Sequence, residues 1–160
     1  MPKTADSPRR HEEHKVRKLG PLLRVLCAFV VSSAPASAAG VIVADGWFRA
    51  LPSGLPAGGY FELHNDSGHR LTLSGAKSPA CGMLMLHRSM NMNGMSSMAE
   101  VRSIAVAVGQ TLSFAPGGYH LMCMQPTSAM EVGEHVPVTL TFEDGSSVTA
   151  QFSVRGATGK

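Results

Sequence analysis

Short runs of alternating apolar and polar residues, separated by turn residues, fill residues 41–154. A β-strand has a period of two residues, so this alternation gives each run one apolar and one polar face. The runs predict strands at 41–43, 47–49, 59–65, 71–76, 81–88, 98–104, 111–114, 119–124, 136–142 and 147–154. No stretch of this part shows a capped apolar period of 3.6 residues. We therefore expect a single all-β domain, a sandwich or barrel.

Turn residues separate the predicted strands. Asp45-Gly46 lies between the first two strands, and Pro116-Gly117-Gly118 precedes the strand at 119–124. Residues 91–97 read NMNGMSS, and this content of Asn, Gly and Ser predicts a loop. The sequence of this part contains no internal repeat, low-complexity segment or domain linker.

The N-terminal residues have the organisation of an export signal. Basic residues run to Arg24, residues 25–31 (VLCAFVV) form a short apolar core, and Ala36-Ser37-Ala38 is an A-x-A cleavage site. The apolar run is too short for a permanent membrane span. We therefore expect residues 1–38 to be an N-terminal extension with a cleavable signal peptide, removed after Ala38. Residues 39–160 would then be a periplasmic domain.

The charges of the chain are unevenly distributed. Residues 1–24 carry seven Lys/Arg and three Asp/Glu, which leaves seven basic and eight acidic residues for the remainder. A near-neutral body has no electrostatic footprint for nucleic acid, so we expect no such partner. Cys27 follows Leu26, where a lipoprotein signal needs a small residue. His11 and His14 lack the HExxH spacing and would be removed with the signal, so we assign them no metal role.

Soft metal donors are concentrated between residues 83 and 124. Eight of the ten methionines lie there, together with two histidines. Four of these residues form a spaced set, His87-x10-Met98-x21-His120-x-Met122. Copper(I) is a soft ion that favours thioether and imidazole over carboxylate and water. The set therefore predicts a copper(I) site.

The His-x-Met pair lies within one predicted strand. His120 and Met122 share a face because the strand period is two, and Cys123 faces the other way. Cys81 and Cys123 are the two cysteines of the mature chain, and an oxidising compartment permits them to pair. We favour a disulfide or a buried thiol, with additional thiolate ligands as the alternative.

The other methionines and histidines have simpler interpretations. Three methionines are expected to fill space in the core: Met83, Met85 and Met130. Three in the predicted loop are either exposed apolar residues or a weak copper-capturing group: Met90, Met92 and Met95. Met124 shares the face of His120 and is an alternative ligand. Structural or surface roles are expected for His64, His69 and His135, and a core position for Trp47.

The ligand spacing resembles the signature of the periplasmic copper chaperones of the PCuAC family. Residues 114–122 (FAPGGYHLM) are similar to that family's Pro-Gly-Gly-x-His-Leu-Met turn, and residues 136–142 are similar to one of its closing strands. Gly59-Tyr60-Phe61 and Asn65 resemble its early strand. The likeness covers nearly all of residues 40–154. The departures are Cys123-Met124, where aliphatic residues are common, and the extra methionines of the predicted loop.

The resemblance implies a cupredoxin-like β-barrel that holds copper(I) near its surface through His87, Met98, His120 and Met122. It also implies delivery of copper toward the dinuclear copper centre of cytochrome c oxidase. The partners would be the copper subunit of the oxidase, a Sco-type copper protein, or both. We expect a monomer without enzymatic activity.

Other functions fit the residues less well. An electron-transfer cupredoxin needs two His, a Cys and a weak axial Met, but Cys123 directly follows Met122, which hinders convergence on one metal. A hydrolase has no support because the sequence lacks a G-x-S-x-G motif. Four protein ligands would also leave a copper enzyme no open position for substrate. General periplasmic copper storage or tolerance is the alternative to oxidase assembly.

Overall fold

The computed structural model describes residues 36–92 and 95–159. Residues 1–35 of the predicted signal segment, with Cys27, His11 and His14, lie outside the described residues. No helix within the described ranges has the length and apolar character needed to cross a membrane.

Ten strands account for most of the described chain, and no α-helix occurs there. Their bounds are β1 Val41–Arg49, β2 Ala57–Asn65, β3 Leu71–Lys77, β4 Cys81–Met92, β5 Met95–Glu100, β6 Ile104–Val106, β7 Thr111–Phe114, β8 Tyr119–Pro126, β9 His135–Phe142 and β10 Ser147–Arg155. A 3-10 turn, Pro52–Gly54, lies between β1 and β2. The all-β prediction is confirmed.

The first two predicted strands are one strand in the structure. The register of β1 with β2 shifts between Ala44 and Trp47, and Asp45 has a positive φ of 52°. Asp45-Gly46 is therefore a β-bulge, in which an extra residue kinks a strand without ending it. The sequence signal for a turn was real, but the chain continues along the same sheet.

Two predictions around residues 91–104 are wrong. The strand β4 extends to Met92 and pairs with β5 as far as Met92↔Met95, so most of the predicted loop belongs to a hairpin. The predicted strand at 98–104 is divided between β5 and β6. The chain leaves β5 after Glu100, bends at Arg102, and then pairs with β3. Alternation marks extended segments but does not show where a segment changes its partner.

The ten strands form one sheet, in the order β5-β4-β8-β7-β2-β1-β10-β9-β3-β6. This sheet curls on itself, because β8 pairs with both β4 and β2, and because β3 contacts β4 from the far side of the order. Most neighbours are antiparallel, whereas β1 runs parallel to β10. The curled sheet encloses a core whose fully buried large side chains include Phe48, Phe61, Phe152, Leu121 and Leu140.

Two predictions of core residues have different outcomes. Trp47 is only half-buried, with its ring 4.7 Å from that of Tyr60, so it borders the core without entering it. Met130 is 8% exposed and fills core space as predicted. The segment before β1 also joins the body, because Ala38 is buried and its N–H donates to the Ser147 carbonyl at 2.8 Å.

Candidate metal site

The four predicted ligands come from three adjacent strands, β5, β4 and β8. In the antiparallel register His87 lies opposite His120, Met85 lies opposite Met122, and Met98 on β5 lies opposite Ser89. Directly opposed residues project from the same face of a sheet, and alternate residues of one strand share that face. His87, Met98, His120 and Met122 therefore share one face, which we call the donor face.

The two imidazoles meet edge to face. Their ring centroids are 5.7 Å apart, with an angle of 72° between the planes. His120 is 4% exposed, and its Nδ1 lies 3.2 Å from the Gly118 carbonyl oxygen. His120 Nε2 and His87 Nδ1 are both buried without a hydrogen-bond partner in the described part of the chain. Buried polar atoms are normally hydrogen-bonded, so two such nitrogens on facing rings fit a site for a metal ion.

A turn places His120 at this position. The N–H of Gly118 donates to the Ala115 carbonyl at 3.0 Å, and Gly117 has a φ of 83°, as a type II turn with Pro116 requires. The Gly118 carbonyl also accepts a hydrogen bond from the Ser89 N–H at 3.0 Å, which fixes the turn to β4. The Pro-Gly-Gly sequence thus orients the histidine that follows it.

A cavity of about 510 Å³ opens beside the donor face. His120, Met122 and Met98 line it, together with Ser89, Arg49 and Tyr60. Met98 is 61% exposed, so its thioether is the most accessible of the four predicted donors. His87 does not line this cavity but borders it through its contact with the ring of His120.

The electrostatic environment favours a neutral His87. Burial lowers the pKa of His87 below its ordinary value, and the neighbouring His120 lowers it further. Glu100, opposite His87 on β5, acts in the other direction and raises the pKa. A neutral imidazole is the form that binds a metal, so the balance keeps a nitrogen lone pair available near neutral pH.

Cys81 and Cys123 form a disulfide, with their Cα atoms 5.4 Å apart. The bond lies on the opposite side of β4 and β8 from the donor face, in the core, and both cysteines are buried. Cys123 faces away from His120 and Met122, as the strand period predicts, and the alternative of extra thiolate ligands does not fit the paired cysteines.

The structure separates the remaining methionines into two groups. Met83 is 58% exposed on the donor face, so its predicted role as a core residue is wrong. Met85 and Met124 are half-buried on that same face. Ser89 and Met98 are opposed on the donor face. Met90 is one residue from Ser89 and Met95 is three residues from Met98, so both project from the opposite face of the hairpin. The strand period explains the error, because it predicts shared faces but not which face is covered.

The other histidines have the structural or surface roles expected of them. His64 Nδ1 lies 2.9 Å from the hydroxyl of Thr111, and His69 Nε2 lies 3.7 Å from a carboxylate oxygen of Asp144. His135 is exposed on β9. Across residues 36–92 and 95–159, no three His, Cys, Asp or Glu residues lie close enough together to hold a metal ion, so the predicted site depends on its methionines.

Sequence reasoning missed the residues that surround the ligands. Arg49 and Tyr60 come from β1 and β2, with the guanidinium carbon of Arg49 6.0 Å from the centre of the Tyr60 ring. Ser89 follows the predicted strand at 81–88 and Glu100 lies in the predicted strand at 98–104, but the sequence did not indicate that either lies beside the ligands. The dipeptide Asn93-Gly94 was the available signal, since Asn-Gly is favoured in two-residue hairpin connections.

Comparison with known proteins identifies the family. The model of the family described as putative lipoprotein LpqE-like matches residues 41–154. The putative lipoprotein Lxx21020 of Leifsonia xyli subsp. xyli is 35% identical over 121 residues, which covers 75% of this chain and 72% of that protein. The chain therefore belongs to the LpqE-like family.

Solved structures confirm the fold. The copper-bound PCuAC domain from PmoF2 has a TM-score of 0.60 and 21% identity, and the match covers 78% of this chain and 99% of that domain. The solution structure of CuI-DR1885 from Deinococcus radiodurans has a TM-score of 0.54 and 29% identity, and the match covers 78% and 81%. The curled sheet is thus the cupredoxin-like fold of PCuAC domains, as the sequence resemblance implied.

Proposed function

We propose that this protein is an exported copper(I) carrier. It binds one copper(I) ion through His87, Met98, His120 and Met122 and passes the ion to another copper protein. The observation that carries this proposal is the pair of facing imidazoles whose buried nitrogens have no hydrogen-bond partner among the described residues. Thioethers from β5 and β8 flank the pair.

The donor chemistry supports copper(I) over other ions. Two imidazoles and two thioethers are neutral and soft, whereas magnesium and calcium require oxygen ligands. The hydrogen bond from His120 Nδ1 to Gly118 leaves Nε2 as the nitrogen with a free lone pair. Two structural relatives have solved structures with copper, the copper-bound PmoF2 domain and CuI-DR1885.

Release of the ion follows from the unequal burial of the ligands. Met98 is exposed on the hairpin strand β5, whereas His120 is buried beside the turn that orients it. A thiolate of an acceptor would enter through the cavity and replace Met98 first. The two imidazoles would dissociate from the ion last. The acceptor we propose is the dinuclear copper centre of cytochrome c oxidase, directly or through a Sco-type protein, because of the sequence resemblance to PCuAC chaperones.

An anaerobic copper(I) competition titration of residues 39–160 tests the site. We expect one tight equivalent in the wild-type protein, and its loss in His120→Ala and in Met122→Ala. His135→Ala is the matched control, because it removes an exposed histidine of β9. Tight binding that survives both site variants would refute the ligand assignment.

Transfer kinetics test the carrier role. The copper(I)-loaded protein is mixed with the soluble copper domain of an oxidase or with a Sco-type protein. If ligands exchange directly, copper(I) should reach the acceptor protein faster than it reaches a small chelator that has the same copper(I) affinity but cannot dock on this protein. Transfer to both proteins at no more than the rate of spontaneous copper loss would instead favour general copper storage.

The electron-transfer alternative depends on a thiolate. In the structure the sulfur of Cys123 is bonded to Cys81, so the blue-copper set of two His and one Cys is not available. Copper(II) added to the oxidised protein should therefore give no strong thiolate band in the visible spectrum. A strong blue band would support the electron-transfer function.

Export also belongs to this proposal. The family and the Leifsonia relative are both described as putative lipoproteins. Cleavage after Ala38 would remove the N–H of Ala38 that bonds to Ser147. Intact-mass analysis of the protein from its native host separates a chain that starts at Ala39 from one lipidated at Cys27.

A further inference from the structure

The donor face continues beyond the proposed copper ligands. Moving along β4 and β8 from the His87–His120 pair, the next opposed pair on this face is Met85 with Met122, and the one after it is Met83 with Met124. Three successive cross-strand pairs thus carry only imidazole and thioether groups. Of these six residues, Met83, Met85 and Met124 have no role in the proposed site.

These three methionines do not serve the hydrophobic core. The core side of the same strands is filled by Leu84, Leu86 and the buried Cys123. Met83 is 58% exposed in the interior of its strand, and Met85 and Met124 are half-buried. Burial of apolar area drives folding, so a methionine that stays exposed there contributes little to stability.

The spacing of the three side chains allows their sulfurs to converge. Opposed residues in antiparallel strands have Cβ atoms about 5 Å apart, and alternate residues of one strand are about 6.8 Å apart. Methionine is unbranched and has three rotatable side-chain bonds, so its sulfur can adjust its position over this range.

We propose that Met83, Met85 and Met124 form a second copper(I) site, adjacent to the first along the same face. The proposal extends the proposed copper-carrier function, because Met122 of the first site lies opposite Met85 of the second. An ion on the three thioethers can exchange Met85 for Met122 and so move between the sites without entering solvent.

The second site should be the weaker of the two. It offers three thioethers and no imidazole, so the ion has fewer donors. Lys77 lines the same cavity of about 430 Å³ as Met83, and its positive charge disfavours a cation there. An ion that binds weakly and near the surface is suited to capture and delivery to the stronger site.

A two-stage titration tests this site. Anaerobic copper(I) is added to residues 39–160 against a weak chelator, and the bound equivalents are counted. We expect two equivalents in the wild-type protein and loss of the second alone in the double variant Met83→Leu/Met124→Leu. Leucine preserves volume and removes sulfur. Met95→Leu, an exposed methionine on the opposite face of the hairpin, is the matched control and should keep both equivalents.

Silver(I), a soft ion of the same charge without redox chemistry, locates the site. In ¹H–¹³C spectra of the methionine methyl groups, the second equivalent should shift the signals of Met83, Met85 and Met124 and leave that of Met130 in place. A second equivalent that persists in the double variant, or shifts confined to other methionines, would overturn the second site while the first stands. If the wild-type protein bound no copper(I) at all, the carrier function itself would be refuted.

Discussion

At the scale of single residues, the Gly118 carbonyl determines how His120 can bind a metal. It accepts a hydrogen bond from His120 Nδ1 and another from the Ser89 N–H. The first bond selects the tautomer with a free Nε2, and the second fixes the carbonyl itself. His87 is not held in this way. Its Nδ1 is buried without a partner within the described ranges, so His87 is the imidazole whose state depends on its surroundings.

The pH dependence of the metal-free protein should report on His87. Burial and the neighbouring His120 lower its folded-state pKa, against the opposing effect of Glu100. The unfolded chain has an ordinary histidine pKa of about 6.5, so it binds a proton more readily than the folded chain. Stability is therefore retained above about pH 6.5 and falls as the pH decreases from there through the folded-state pKa. Urea denaturation between pH 8 and pH 5, with a copper chelator present, measures this fall.

The matched variant for this prediction is His87→Gln, which keeps a polar side chain that does not titrate. Its unfolding midpoint should depend less on pH over the same range than that of the wild-type protein. Equal slopes for the two proteins would assign the pH dependence to other groups.

Residue-level prediction from the sequence succeeded where the strand period was sufficient. The period of two placed His120 and Met122 on one face and Cys123 on the other, and the register bears this out. It failed for Met83, because a period cannot tell which face of a strand the rest of the fold will cover. The shared face with His87 was visible, whereas the exposure of Met83 depends on the curl of the sheet.

At the scale of elements, the site depends on how β2 supports β8. Gly58 pairs with Met122 and Gly59 with Leu121, so two glycines lie against the strand that carries both His120 and Met122. A Cβ atom added at Gly59 would lie 2.6 Å from Cε1 of Phe48 and 3.0 Å from Cβ of Leu121. Both neighbours are fully buried, so neither has free space into which it can move.

Gly59→Ala should therefore destabilise the protein by about 1–3 kcal/mol, the usual cost of overpacking a core. It should also weaken copper(I) binding, because displacement of Leu121 moves the ligands on either side of it. Chemical denaturation and the copper titration measure the two effects. Gly75→Ala is the control, since its Cβ would meet only the Thr141 hydroxyl oxygen, at 3.1 Å, and that side chain can rotate away. Equal effects of the two substitutions would contradict this explanation.

The elements show where prediction from sequence stops. Strands with clear alternation, such as β7 and β9, were predicted to within a residue or two of their observed bounds. The bulge at Asp45 and the hairpin of β4 with β5 were not predicted, because both depend on which strand is the partner. Partner choice is a property of the assembled sheet, and local alternation carries no information about it.

At the scale of the whole molecule, one covalent bond joins the two strands that carry three of the four proposed ligands. Cys81 is at the start of β4 and Cys123 is in the middle of β8, with a sequence separation of 42 residues. The sequence left their pairing open, since a separation along the chain does not give a distance in space. The fold supplies that distance: the two Cα atoms are 5.4 Å apart, although the register places Leu84, and not Cys81, opposite Cys123.

Removal of this disulfide should lower the stability of the protein without abolishing copper(I) binding. Closing a loop of this length restricts the unfolded chain, and the chain-entropy estimate of the stabilisation is about 4 kcal/mol. Reduction of the wild-type protein should therefore lower its unfolding midpoint in urea. The double variant Cys81→Ala/Cys123→Ala should lower it further, because the two buried sulfurs also leave a cavity. Both forms should still bind the first copper(I) ion while folded, since the disulfide lies on the core side and all four proposed ligands are on the other. If the reduced wild-type protein bound copper(I) more tightly than the double variant, a cysteine thiolate would be a ligand, and the proposed set of two histidines and two methionines would be incomplete.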